Sequence, residues 1–163
     1  MRAMMRHSEK DEELIALGAA EVSHGDLANT GDVTAAAEGG RAIYYICPNM
    51  IENEMDIGGN VIDAAKATQV DRLIFHSVLH TQVQALQHHW NRLFVEEAIV
   101  ESGVPFSILQ VGSYYQNMLP GWAKMLDTGV HAMAYEVEAP MSLVDLDDVS
   151  EAATRVLNDA GCA

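Results

Sequence analysis

The sequence contains few cysteines and few basic residues. Two cysteines among 163 residues, Cys47 and Cys162, are too few for a disulfide scaffold and favour a reducing compartment. Nine lysines and arginines face 24 acidic residues, giving a formal charge of −15, which argues against nucleic acid and anionic membranes as partners. The sequence has no apolar run near the roughly 18–20 residues that span a bilayer, and no signal segment is recognisable at Met1. These absences predict a cytoplasmic protein.

The length and hydrophobic content predict one domain covering residues 1–163. Domains commonly have about 100–150 residues. A hydrophobic share of 49% is enough to build a buried core in a chain of this length.

Strand and helix patterns alternate along the chain. Predicted strands lie at residues 1–5, 20–24, 42–47, 73–77, 106–111 and 130–135. Predicted helices lie at residues 9–17, with Ser8 as the N-cap, and at 32–38, 52–68, 88–101, 115–126 and 147–157. The continuous apolar run at 42–47 is typical of a strand buried on both faces. Strands that alternate with helices predict an α/β fold, a three-layer Rossmann-like parallel sheet flanked by helices.

Ligands of such sheets bind beyond the carboxyl ends of the strands. The candidate residues are therefore those that follow each predicted strand. They are Arg6, Asp26, Cys47, Pro48, Asn49, Ser77 to His80, and Gly112 to Asn117.

Several of these positions have two interpretations. A guanidinium such as that of Arg6 matches a 2′-phosphate on an adenosine ribose, but it could also be a solvated charge at a strand end. Asp26 could accept a hydrogen bond from an adenine amino group or cap a turn. Pro48 and Asn49 could form the floor beneath a cofactor or end the strand in an ordinary turn.

The segment from His76 to Arg92 suggests chemistry at a carbonyl. A serine hydroxyl, an imidazole and a cation, here Ser77, His88 and Arg92, could together orient and protonate a carbonyl during hydride transfer. Four histidines within this stretch also raise the possibility of a metal. His88 and His89 are neighbours that would point about 100° apart on a helix, and no cysteine or carboxylate falls at a ligand spacing from the histidines, so no metal is predicted.

A Ser-His-Asp hydrolase is a further alternative. Ser77 or Ser113, His88, and Asp145 or Asp147 could form a triad, but the sequence has no Gly-x-Ser-x-Gly elbow. Four methionines are predicted to fill gaps in an adaptable core or groove: Met118, Met125, Met133 and Met141.

In order along the chain, these segments resemble the NmrA-like branch of the atypical short-chain dehydrogenase/reductases. The resemblance rests on residues 2–6, 25–27, 43–48, 60–65, 72–77, 88–97, 102–106, 109–117 and 144–149. It implies a Rossmann-type fold that binds a nicotinamide dinucleotide, NADP or NAD. Some members are reductases of small carbonyl or quinone-like substrates, and others are non-catalytic redox sensors or interaction modules.

The resemblance also implies roles for single residues. Arg6 matches the position that contacts the adenosine phosphate, Asp26 and Leu27 match the adenine contact, and Cys47 and Pro48 match the loop beside the pyrophosphate and ribose. Ser77 matches the active-site strand, and Arg92 stands where members carry a lysine that binds the nicotinamide ribose. His88 stands where the superfamily places a tyrosine. Gly112, Ser113 and Tyr114 match the loop that covers the nicotinamide.

Family members begin with a strand, a Gly-x-x-Gly-x-x-Gly turn and a helix before the segment that matches residues 1–6. The resemblance therefore implies a partial domain without this first unit and without part of the C-terminal substrate region. The first strand would lie between those at 1–5 and 42–47. Without it, we expect two open strand edges and a homo-oligomer formed through them.

Overall fold

The computed structural model describes residues 1–132, 136 and 138–158 of the chain. Seven strands are present: β1 Arg2–Met5, β2 Glu21–His24, β3 Ala42–Ile46, β4 Arg72–Val78, β5 Phe106–Val111, β6 Ser113–Tyr114 and β7 Leu143–Val144. Six α-helices accompany them: α1 Asp11–Ala16, α2 Thr30–Ala37, α3 Glu54–Thr68, α4 Gln87–Glu101, α5 Trp122–Thr128 and α6 Leu146–Asn158. Two 3₁₀ helices, Ser8–Lys10 and Tyr115–Gly121, precede α1 and α5.

All strand pairs are parallel, as expected for strands joined by helical crossovers. β1 pairs with β2, β4 lies between β3 and β5, and β6 pairs with β7. Within the described residues no ladder joins β1 to β3, so the parallel strands fall into separate sheets at the place where the sequence predicted an interruption. The predicted α/β class with helix-flanked parallel sheets is confirmed.

The core lies between β4 and the helices α3 and α4. Leu73, Phe75 and Ser77 have no exposed surface and share one face of β4, the face covered by these helices. Alternation places Arg72 on the opposite face, where its Nη1 donates to the Val156 carbonyl of α6 at 2.7 Å. Helices therefore pack against both faces of the three-stranded sheet.

The prediction that β3 is buried on both faces is wrong. Tyr45 is 4% exposed on the core side, whereas Ile46 is 55% exposed. Tyr44 and Ile46 lie on the face that continues through Ile74 and His76 of β4. Within the described residues this face of the sheet is only partly covered. The apolar content of residues 42–47 therefore predicted more burial than the strand has.

Most predicted elements agree with the structure within a few residues, and the differences have local causes. Ser8 is not an N-cap, because a 3₁₀ turn begins at Ser8 and no side chain caps it. Pro120 lies inside the 3₁₀ helix, two positions before α5 begins at Trp122, in agreement with its missing N–H donor. The strand predicted at 130–135 is absent at residues 130–132, and Met133, Ala134 and Tyr135 lie outside the described residues.

No helix among residues 1–132 and 138–158 has the length and apolar character needed to cross a membrane.

The packing of α3 against α4 depends on Gly58. A Cβ at Gly58 would lie 2.9 Å from both methyl carbons of Val95, which is itself 2% exposed. The adjacent Gly59 has no atom within 4 Å of such a Cβ. The close approach of the two helices therefore requires glycine at Gly58 but not at Gly59.

Gly58→Ala should lower the free energy of unfolding by about 1–3 kcal/mol, because the added methyl group overpacks a closed interface. The control Gly59→Ala should raise it by about 0.5–1 kcal/mol, because alanine loses less conformational freedom in a helix. Urea denaturation measures both. Effects of the same sign and size would contradict this account of the helix contact.

Candidate functional site

An exposed ion pair lies at the carboxyl ends of β1 and β2. Arg6 Nη2 is 2.9 Å from Asp26 Oδ1, and the side chains are 63% and 42% exposed. The same carboxylate accepts a hydrogen bond from the Ala28 N–H at 2.9 Å. This bond, followed by the one from Arg6, lowers the pKa of Asp26 below its ordinary value. Asp26 therefore caps the turn and orients Arg6, whose guanidinium keeps exposed donor surface.

The turn that follows Asp26 is fixed to α3. Asn60 Nδ2 donates to the Leu27 carbonyl at 2.9 Å, and Thr30 Oγ1 donates to Asn60 Oδ1 at 2.6 Å. The half-buried Leu27 side chain packs against the core. These contacts hold the Arg6–Asp26 corner in place against the helix after β3.

Cys47 directly follows β3 and is 2% exposed. Burial raises the pKa of its thiol to about 11, so the thiol stays protonated near neutral pH. Pro48 and Asn49 follow it on the exposed surface. A ligand at this position would meet the Pro48 turn, while the thiol faces inward.

The Arg92 side chain is buried next to the carboxyl ends of β3 and β4. Its Nε lies 2.7 Å from Glu54 Oε1 in an ion pair whose angle is not that of a hydrogen bond, and the side chains are 3% and 1% exposed. Burial raises the pKa of Glu54, and the charge of Arg92 opposes this shift. The Nη atoms of Arg92 donate to the carbonyls of His76 at 2.9 Å and Cys47 at 3.1 Å. Arg92 thus joins α3 and α4 to the ends of β3 and β4.

Ser77 lies in a separate buried group around Glu96. The Glu96 carboxylate accepts hydrogen bonds from the Ser77 hydroxyl, from Gln110 Nε2 at 2.9 and 3.0 Å, and from Thr81 Oγ1 at 3.2 Å. Ser77 has no exposed surface. Within the described residues its hydroxyl is not bonded to an imidazole, so the hydrolase alternative that begins at Ser77 has no Ser-His pair.

His88 lies half-buried in the first turn of α4. Its ring packs edge-on against His89 with centroids 4.3 Å apart. Burial, followed by His89 and Arg92, lowers its pKa. The structure therefore does not bring Ser77, His88 and Arg92 to one open spot, and no group of three or more His, Cys, Asp or Glu side chains among the described residues could hold a metal.

A different constellation joins side chains of three strands. Tyr44 Oη is 2.6 Å from His76 Nδ1, and His76 Nε2 is 2.5 Å from Tyr114 Oη. Burial and the charge of Arg92 lower the pKa of His76, and burial raises the pKa of both tyrosines. The imidazole is therefore neutral near pH 7, so one ring nitrogen donates and the other accepts.

Sequence reasoning assigned Tyr114 to the cofactor loop and gave Tyr44 and His76 no role. The available signal was the alternation of side chains along two adjacent parallel strands, which allows Tyr44 and His76 to lie on one face of the sheet. The distances between these side chains require the register, which pairs Ile46 with His76.

Tyr114 also lines a cavity of about 260 Å³. Its other lining residues are Ser113, Asn117, Met118, His131, Ala132, Met141 and Leu143. Gly112 directly precedes the lining residue Ser113, and a Cβ there would lie 2.6 Å from the Ser142 carbonyl oxygen, so glycine permits the close backbone approach at the start of the β6–β7 pair. Two predicted groove methionines, Met118 and Met141, are among the lining residues.

The donor set fits the adenosine phosphate end of a nicotinamide dinucleotide. Arg6 offers an exposed guanidinium beside a turn whose carbonyls and amides are fixed. Among residues 1–132 and 138–158, the pairs Gly39-Gly40 and Gly58-Gly59 lie at the end of α2 and inside α3, so neither forms a strand-to-helix phosphate turn.

The neutral state of His76 predicts a pH-dependent stability. Its folded pKa lies below the ordinary value of 6.5, so at lower pH the unfolded chain binds a proton that the native chain resists. At pH values below about 6.5, the free energy of unfolding of the wild type should therefore fall relative to that of His76→Gln. Urea unfolding of both proteins in buffers on either side of this value measures it, and a difference independent of pH would contradict the assignment.

Comparison with known proteins supports the same fold. The model of the NmrA-like family matches residues 1–161. Quinone oxidoreductase 2 of Escherichia coli (strain K12) is 27% identical over 159 residues, covering 98% of this chain and 55% of the relative. The chain thus spans about half the length of this relative.

Solved structures share this fold. An NADPH-dependent quinone oxidoreductase of Escherichia coli, in complex with NADPH, superimposes with a TM-score of 0.83 at 27% identity, over 98% of this chain and 56% of that one. The triphenylmethane reductase of Citrobacter sp., in complex with NADP(H), has a TM-score of 0.83 at 21% identity, with coverage of 98% and 56%. The chain described here belongs to the NmrA-like family.

Proposed function

We propose that this chain is the dinucleotide-binding part of an NAD(P)H-dependent reductase of small carbonyl or quinone-like substrates. The observation that carries the proposal is the exposed Arg6 guanidinium at the carboxyl end of β1, held in place by Asp26. The similarity to an NADPH-dependent quinone oxidoreductase supports the substrate class. The substrate is a small molecule, and we expect the protein to act in the cytoplasm.

In this proposal the exposed and half-buried residues of the predicted site contact the dinucleotide, and the buried ones support them. Arg6 binds the adenosine phosphate, Asp26 and Leu27 border the adenine, and Pro48 borders the ribose and pyrophosphate. Gly112, Ser113 and Tyr114 lie beside the nicotinamide. A bound reduced nicotinamide would supply a hydride to the substrate carbonyl.

The buried members of the predicted set contribute differently. Arg92 would support the site by holding the carbonyls of Cys47 and His76, and Ser77 would do so by bonding to Glu96. Contact of Arg92 with a ribose stays a prediction that requires this side chain to leave Glu54. Polarisation of a carbonyl by Ser77 or His88 also stays a prediction.

A second candidate function is that of a non-catalytic sensor or interaction module. The division of the parallel strands into β1–β2 and β3–β4–β5 favours it, because one edge of β1 and one edge of β3 make no ladder within the described residues. Unpaired edges are templates for pairing with another chain. We propose a homo-oligomer formed through these edges.

Arg6→Ala should raise the dissociation constant for NADPH by about tenfold and leave that for NADH unchanged, because only NADPH carries the 2′-phosphate. Fluorescence titration measures both. Arg41→Ala is the control, since Arg41 is another exposed arginine paired with an aspartate, Asp71. Equal affinity losses for both nucleotides, or no binding of either by the wild type, would refute the cofactor proposal.

The oligomer proposal is tested by light scattering. At micromolar concentration we expect a mass of at least twice that of the chain, because edge pairing would satisfy backbone donors and acceptors that are otherwise left to water. Binding of NADPH without turnover on carbonyl and quinone substrates would favour the sensor. A monomeric mass across the concentration range would rule out assembly through the edges.

A further inference from the structure

We propose that Tyr44, His76 and Tyr114 form a proton relay that ends in the methionine-lined cavity, where the Tyr114 hydroxyl donates first a hydrogen bond and then a proton to the oxygen of a quinone. This inference rests on the proposed reductase function, for which it supplies the proton source. The relay uses neither Ser77, His88 nor Arg92 as the donor.

The three side chains come from three different strands. Tyr44 lies on β3, His76 on β4, and Tyr114 on β6 directly after β5. The two contacts of 2.6 and 2.5 Å reach both ring nitrogens of one imidazole, which is 8% exposed. The hydrogen bonds therefore run without a break from the Tyr44 hydroxyl through the His76 ring to the Tyr114 hydroxyl.

The direction of the relay follows from hydrogen-bond chemistry. In a neutral imidazole one nitrogen carries a proton and the other a lone pair. When Tyr44 donates to Nδ1, Nε2–H donates to Tyr114 Oη, and the proton of Tyr114 is left free to point into the cavity. Each bond in such a chain strengthens the next donor along it.

The cavity at the Tyr114 end suits a small, flat, mainly apolar ligand. Met118, Met141 and Leu143 supply adaptable apolar surface, and thioether sulfur packs well against aromatic rings. Asn117 and Ser113 add polar groups near Tyr114. A volume of about 260 Å³ lies just below the roughly 300–1,000 Å³ of drug-sized ligand sites, which indicates a molecule of one or two rings.

The proton balance is complete with a hydride from a reduced nicotinamide. A bound reduced nicotinamide would supply this hydride, which would convert the quinone to the hydroquinone monoanion and leave the nicotinamide oxidised. The Tyr114 O–H bond then breaks as the hydroquinone O–H bond forms, Tyr114 takes the Nε2 proton of His76, and His76 Nδ1 takes the proton of Tyr44. Water reprotonates Tyr44, on a face of β3 that is open to solvent at Ile46.

A phenolate imitates the hydroquinone anion that the relay protonates, and it requires no cofactor. The experiment measures binding of 4-nitrophenolate, by its absorbance, to the wild-type chain, Tyr44→Phe, Tyr114→Phe and the double variant, at a pH above the pKa of the free probe. Tyr115→Phe is the matched control, because Tyr115 is the adjacent tyrosine, is 47% exposed and is not part of the relay. Thermal melting checks that each variant is folded.

Tyr114→Phe should weaken binding by about tenfold, because a charge-assisted hydrogen bond is lost. Tyr44→Phe should weaken it by about twofold to threefold through His76, although Tyr44 does not line the cavity. In the Tyr114→Phe background the second change should have no further effect, since the path is already cut. Tyr115→Phe should bind the probe as the wild type does.

Unchanged affinity in Tyr114→Phe, or full additivity of the two changes, would overturn the relay. ¹⁵N NMR of wild-type His76 tests it without any variant: one protonated and one bare ring nitrogen near neutral pH support it, and a doubly protonated ring contradicts it. Failure of the reductase proposal is distinguishable. A chain that shows the predicted pattern with 4-nitrophenolate but does not bind NADPH retains the relay and loses the reductase function.

Discussion

The arrangement of the strand ends depends on the buried ion pair between Arg92 and Glu54. Its atoms lie 2.7 Å apart in a region with almost no solvent access, and burial is costly for both charges. The arginine offsets that cost by donating to the carbonyls of Cys47 and His76 and by lying over the Phe75 ring, with its guanidinium carbon 5.7 Å from the centroid. One side chain therefore sets the relative positions of β3, β4, α3 and α4.

This ion pair links the two faces of the sheet. On one face it supports the core around Phe75, and on the other it holds the backbone of His76, whose ring contacts Tyr44 and Tyr114. Burial, followed by this nearby positive charge, lowers the pKa of that imidazole. The chain has a formal charge of −15, and it encloses the cation of Arg92 beside the backbone of His76 while that of Arg6 stays exposed.

The sequence was sufficient for the order and type of most elements, because strand and helix periodicities are local properties. It also indicated the interruption between β1 and β3, through the resemblance to the family. It could not show that Arg92 is enclosed by Glu54, because this contact joins residues 38 positions apart in sequence and depends on how α3 packs against α4. The Tyr44–His76–Tyr114 contacts were missed for a similar reason: they require the register of two strands and the path of the chain after β5.

The central claim is that the exposed Arg6 and the half-buried Tyr114 contact ligands, while Arg92 remains an interior support. The most direct measurement is a crystal structure of this chain, from crystals grown in the presence of NADPH and 4-nitrophenol. The account predicts the adenosine phosphate against Arg6, the phenol oxygen against the Tyr114 hydroxyl, and Arg92 still paired with Glu54. A structure in which Arg92 has left Glu54 to bind the ribose, or in which the phenol lies away from Tyr114, would contradict it.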